Sequence, residues 1–255
     1  MYGKPLRSYA LEGHLTVEGW LGLGALGLTM AISRRHLGLG VRAAVGEIGI
    51  HHGRYFIALA LLRQTGEMAV AIDVFEDQHL NVDWSGSGNR EVFLSNLRRF
   101  AVDMSGVLVH KADSLTMQTP ELLGLSKGQG FRLFSVDGGH QVVNVLHDLE
   151  IVAGVLSVGG VIVLDDFFNP DWPGVNEGVF KFLARSHSLA PFCYGNNKLF
   201  LCGAGEQSDW LEWVRAEIVP HSQNVKPVVL SGYPVLHLEP PAPAQIVETV
   251  PRVSR

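Results

Sequence analysis

From residue 43 onward, short apolar runs alternate with stretches of helical periodicity, and each run closes on acidic or glycine residues. The runs are 43–50 (AAVGEIGI), 68–74 (MAVAIDV), 106–110 (GVLVH), 131–136 (FRLFSV) and 160–164 (GVIVL). Between them, residues 55–62 (YFIALALL) are long and apolar enough for a buried helix. Val92, Phe93, Leu97 and Phe100 recur at helical spacing within 90–100, and a helix is predicted over 142–156. Strands that alternate with helices build right-handed βαβ units, hence a parallel sheet covered on both faces. Two further runs, 190–194 (APFCY) and 198–202 (KLFLC), are joined only by Gly195-Asn196-Asn197, a link short enough to force an antiparallel hairpin. The predicted fold is α/β: a doubly wound, mostly parallel seven-stranded sheet that ends in an antiparallel hairpin.

The flanks read differently. Residues 1–42 form a glycine-punctuated leader, expected as a partly buried helix or lid over its apolar stretch 20–32 (WLGLGALGLTMAI). At 13 residues that stretch is shorter than the roughly 20 a spanning helix needs, and its glycines weaken it as a helix. Glu12 and Glu18 upstream do not suit a secretory signal. After the domain of 43–203, the extension 204–238 carries a predicted helix at 208–218 and a β-like run at 225–230. The Pro-rich tail 239–255 reads as loosely ordered or as an arm on a partner subunit. The tail and the leader's Leu and Trp residues suit a homo-oligomer. Two cysteines among 255 residues exclude a disulfide scaffold and fit a cytoplasmic protein with reduced thiols. With 20 Lys+Arg and a net charge of -5 there is no basic footprint for nucleic acid, and no partner membrane is expected.

In open α/β sheets ligands bind beyond the carboxyl ends of the strands, and here acids gather at those ends: Glu47, Asp73, Asp113, Asp137, Asp165 and Asp166. One acid after a strand is ordinarily a turn former or helix cap; six are more than capping requires. Gly49 and Gly53 in 46–53 (GEIGIHHG) let backbone approach a ligand, although the dinucleotide fingerprint G-x-G-x-x-G and the P-loop are both unmet. A turn built only for packing is the other reading of these glycines. Asp73, 24 residues after Gly49, suits the two hydroxyls of a ribose, whatever nucleoside carries it. Asp113-Ser114 is either a base-contacting pair or an Asp-Ser turn. Asp137 and, 28 residues later, Asp165-Asp166 would repel one another unless protonated or bound to a cation. An all-oxygen set with open positions suits Mg²⁺ or another divalent cation. His140 then stands near the activated hydroxyl, where an imidazole serves as general base, although a lone histidine is more often a core-edge or helix-terminal residue. His51-His52 are not expected to bind metal by themselves, because vicinal side chains point apart. His51 is assigned to the donor pocket; Gln78, Asn81, Asp83 and Trp84, followed by Gly86-Ser87-Gly88, form a polar, glycine-rich loop that either closes over adenosine or acceptor or is a surface loop.

Taken together, Glu47–Gly53, Asp73, Asp113-Ser114, the V-D-G-G-H of 136–140 and the L-D-D of 164–166 resemble the metal-dependent class I S-adenosylmethionine-dependent methyltransferases. The similarity is greatest to the group of macrolide and aminocoumarin sugar O-methyltransferases and cephalosporin-hydroxylase-like proteins, and it covers about residues 43–203. It implies S-adenosylmethionine bound by Glu47, Gly49, His51, Gly53, Asp73, Gln78, Asp113, Ser114 and Asp137. It implies Mg²⁺ on Asp137, Asp165 and Asp166, with catalysis by His140 and Asp137. The expected acceptor is a small molecule with a vicinal diol, a sugar first and a catechol second. The other readings are an NAD-dependent oxidoreductase, disfavoured by the missing fingerprint and the terminal hairpin, and a donor-binding protein without catalysis. The segment 169–174 (NPDWPG) matches no acceptor pattern of the group.

Overall fold

Apolar runs too short for helices and rich in Val, Ile and Phe form the parallel strands β1 (Ala44–Ile48), β2 (Ala69–Asp73), β3 (Val107–Lys111), β4 (Phe131–Val136) and β5 (Leu156–Leu164) in a computed structural model that describes residues 3–248. Every residue of β1 and β4 is buried, the mark of strands covered on both faces. The covering helices are α1 (Lys4–Leu11), α2 (Leu23–Gly38), α3 (Phe56–Leu61), α4 (Arg90–Arg99), α5 (Thr119–Leu125), α6 (Val142–Ala153), α7 (Pro173–Arg185), α8 (Gln207–Trp213) and α9 (Pro243–Glu248). Helix α6 stops at Ala153 rather than 156, because β5 begins early: Leu156 already pairs with Phe131, ahead of a register shift.

Strands β6 (Leu189–Gly195) and β7 (Lys198–Gly203) form the expected hairpin. Its turn residues Asn196 and Asn197 both hold positive φ (49° and 67°), the conformation of a turn whose twist matches the strands. The sheet has nine strands, not seven, in the order β3-β2-β1-β4-β5-β7-β6-β9-β8. The extra pair is β8 (Gln223–Leu230) and β9 (Tyr233–Glu239), which pair with each other as antiparallel strands. Strand β9 lies parallel to β6 through Cys193↔Leu236 and Tyr194↔His237, and so covers an edge that would otherwise offer unpaired backbone groups. Pro234 interrupts the pattern of β9, which hid it from the periodicity reading.

Helix α2 runs well past residue 32 and is buried along most of its length. Its glycines have a packing reason: a Cβ on Gly27 would come 1.9 Å from Pro241 O. Segment 240–248 thus packs on α2 of its own chain over the described part of the tail; residues 249–255 lie outside the described residues. Among the described residues no helix is long and apolar enough to cross a membrane. On the opposite side of the sheet from the strand carboxyl ends, fully buried Arg132 donates to Glu67 (2.8 Å), Ser33 (3.1 Å) and Leu62 O (2.9 Å), tying α2 and α3 to β4. The strand order reverses between β1 and β4, which places a crevice at their carboxyl ends.

Candidate active site

A cavity of about 520 Å³ opens at that crevice, and the strand-end acids line it. Glu47, near the end of β1, is wholly buried. Desolvation pushes its carboxyl up to about 8 against the opposing pull of Lys198, and its Oε2 has no hydrogen-bond partner. At Gly49 (φ 87°) the chain passes so close to the β4 loop that a Cβ would fall 1.7 Å from Asp137 O. Asp73 Oδ2 accepts from Ile50 N and His51 N (2.9 Å), and its Oδ1 accepts from Phe75 N. That leaves Oδ1 the freer of the two oxygens, and burial raises the pKa of the group. Asp113 caps a 3₁₀ turn through Leu115 N (3.0 Å) while lining the cavity beside Ser114 and Gln78. Gly53 stands apart: it turns against Phe93, 2.5 Å from where its Cβ would be, and does not line the cavity.

The positive φ of His51 (51°) corrects one expectation. It turns the ring onto that of His52, with centroids 4.0 Å apart, and Glu18 Oε2 lies 3.2 Å from His52 Nδ1. Vicinal histidines point apart in extended or helical backbone, but not across a left-handed turn.

At the other end of the cavity the acids divide among partners. Lys198, 2% exposed at the start of β7, sets its Nζ 2.5 Å from Asp165 Oδ2 and 4.7 Å from the centroid of the Tyr55 ring. Burial disfavours its charge, yet Asp165 and Asp137 hold its pKa above the ordinary lysine value. Asp165 Oδ1 accepts from Asp166 N (2.9 Å). Burial, with the charge of Asp165, raises the pKa of Asp137 well above the carboxylate range. His140 is gripped from both sides. Its Nδ1 meets Asp83 Oδ2 and its Nε2 meets Asp166 Oδ2, each at 2.9 Å, while Trp172 stacks on its face at 4.3 Å. Burial opposes charge on the ring, but the hydrogen bonds to Asp166 and Asp83 prevail and its pKa is raised. Asp166 itself sits in the left-handed region (φ 57°), held by Asn169 Nδ2 (2.6 Å) and Asn197 Nδ2 (2.8 Å).

Among the described residues, Asp137, His140 and Asp166 therefore form one donor group, with ligand atoms within 4.8 Å of one another. Asp165 belongs instead to the Lys198 pair in this arrangement. Lys198 and Asn197 were not among the residues the sequence singled out for the site, and Asp83 was named only as part of the polar loop that follows β2. The only available sign of Lys198 was the acidic cluster itself, which demanded a positive charge that the chain turns out to supply.

Residues 47–167 match a family model described as a methyltransferase domain. No curated protein is recognisably similar to the chain in sequence. Among solved structures, the O-methyltransferase NovP is 15% identical at a TM-score of 0.57, over 70% of this chain and 79% of that one. Cofactor-bound Rv0187 from MTB is 17% identical at a TM-score of 0.53, over 79% and 90%. The O-methyltransferase TomG from Streptomyces achromogenes, in complex with SAM and involved in tomaymycin synthesis, is 18% identical at a TM-score of 0.51, over 79% and 88%. At these identities the likeness is one of fold.

Proposed function

We propose, from the match of residues 47–167 to a methyltransferase domain and from the sheet order, that the protein moves the methyl group of S-adenosylmethionine to a hydroxyl oxygen of a small molecule. A sugar or glycosylated natural product with a vicinal diol is the acceptor class. The observation that carries the reading is a histidine held between two carboxylates in the same cavity as a buried glutamate. Glu47 Oε2 is an acceptor in need of a donor, and the ammonium of S-adenosylmethionine supplies one. Asp73 Oδ1 keeps capacity for a ribose hydroxyl. The absent dinucleotide fingerprint disfavours NAD⁺.

When bound, S-adenosylmethionine supplies a sulfonium methyl that is already electrophilic, so the protein's task is alignment and proton removal. His140 does the second. Asp83 keeps the proton on Nδ1, and an acceptor hydroxyl entering between Nε2 and Asp166 passes its proton to Nε2. The two carboxylates then stabilise the imidazolium, which is what the raised pKa expresses. Trp172 holds the plane of the ring. Asp137 and Asp166 would hold a divalent cation, Mg²⁺ or another, with Asp165 beside them paired to Lys198. Its charge would lower the pKa of the acceptor hydroxyl.

Calorimetric titration with S-adenosylhomocysteine and, separately, NAD⁺ tests the donor. Micromolar binding of the first alone is expected, and binding of NAD⁺ in its place would overturn the reading. On an acceptor panel of sugars and catechols, His140→Ala should keep that binding while turnover drops about 10²-fold. Turnover indifferent to a chelator removes the cation from the scheme.

A further inference from the structure

Residues 78–88 form a strap along one wall of the cavity, and most of their polar contacts are internal. Asn81 Nδ2 donates to Gln78 Oε1 (3.2 Å) and Gly86 O (2.9 Å), and Ser85 N donates to Asp83 Oδ1 (3.2 Å). Asp83 also reaches out of the strap. Its Oδ2 accepts from the His140 main-chain N (2.8 Å) and from His140 Nδ1 (2.9 Å), 57 residues away in sequence. The next residue, Trp84, is 82% exposed with a φ of 58°, so the chain gives up both burial and backbone ease at the point where it presents this carboxylate. Farther along, Gly88 lies against Asp73, where a Cβ would be 3.0 Å from Oδ1. One end of the strap thus rests on the candidate ribose carboxylate and its middle is tied to the candidate base.

We propose that Asp83 is a positioning residue that latches the strap 78–88 to His140, so that closing over the donor and aligning the imidazole are a single event. The inference rests on the methyl-transfer reading above and adds to the part Asp83 has in it the coupling of strap closure to the orientation of the ring. Its geometry is specific. The main-chain N–H of His140 cannot move without moving the β4–α6 loop, so it fixes the carboxylate oxygen. That oxygen then fixes the ring, with Nδ1 as donor and Nε2 turned to the acceptor side. With the strap open, His140 keeps Asp166 and loses its orienting partner.

The test compares Asp83→Ala and Asp83→Asn with the wild type, all as the full chain and with matching melting profiles. Asparagine keeps an acceptor oxygen, and the His140 main-chain N–H selects the carbonyl end of the amide; alanine keeps neither bond. S-adenosylhomocysteine dissociation, followed by surface plasmon resonance, should be about tenfold faster or more in Asp83→Ala and within about threefold of wild type in Asp83→Asn. On an acceptor that the wild type methylates, Asp83→Ala should lower kcat about 10²-fold with acceptor KM changed by less than about threefold. Release from Asp83→Ala at the wild-type rate, or equal acceleration in both variants, overturns the latch. An unchanged kcat overturns the positioning role. A wild type that binds no S-adenosylhomocysteine brings down the donor reading and this inference with it, a result distinct from normal binding with unaltered release.

Discussion

Lys198 is the residue on which the acidic end of the cavity depends. Three carboxylates, Glu47, Asp137 and Asp165, surround a site whose resident positive charge is one ammonium on the first residue of β7. Removing one partner of a buried pair leaves the other uncompensated, so Lys198→Met is expected to destabilise the fold by about 3–5 kcal/mol. Adding Asp165→Asn should recover a good part of that, and urea midpoints at constant m measure both. His36 makes a pH-dependent contribution on the far side of the sheet. Burial, and then the charge of Arg132, lower its pKa to about 3 from 6.5, and its Nε2 meets Gly159 O at 2.9 Å. The unfolded chain therefore binds the extra proton between those two values. This residue's contribution is complete above pH 6.5 and is lost as pH falls toward 3. Between about pH 7 and about pH 4 the wild type should lose more of its melting temperature than His36→Gln does. Equal losses would mean that the histidine titrates normally. Taking the difference between the two proteins separates this effect from Glu47, whose raised pKa acts in the opposite sense.

At the scale of elements, α2 and the C-terminal segment test whether helix propensity or packing governs a glycine. In an exposed helix Gly→Ala stabilises by roughly 0.5–1 kcal/mol. At Gly27 the new methyl meets Pro241 O at 1.9 Å, a main-chain atom that cannot swing aside. Gly27→Ala is therefore expected to destabilise by about 1–3 kcal/mol and to raise hydrogen exchange in α9. A stabilised variant would show that segment 240–248 is not seated on α2. The strands were legible where their signal was local: the five parallel runs and the Gly195-Asn196-Asn197 hairpin all appear in the structure. Strand β8 was legible as a β-like run at 225–230 but not as part of the sheet, and β9 was not legible, because it owes its place to the open edge of β6 and carries Pro234 within its run. Helix α2 was read as weak on account of glycines that a distant segment requires.

For the whole molecule, ligand linkage gives a test that needs no acceptor. S-adenosylhomocysteine at a hundredfold its Kd should add about 2.7 kcal/mol, or a melting shift of about 5–10 °C for a chain of this size, and NAD⁺ should add nothing. A flat response to S-adenosylhomocysteine would count against the donor cavity. The sequence by itself determined the five parallel strands, the hairpin, and the row of acids from Glu47 to Asp166, because each is written in neighbouring residues and in the rule that a parallel sheet binds at its carboxyl ends. Tertiary structure alone decided what those acids face. Asp165 meets a lysine 33 positions on, and His140 meets a carboxylate 57 positions back, distances that no local period spans. A carboxylate's role is set by which charge the fold brings within about 3 Å of it, and that choice belongs to the packing of the strand ends and loops.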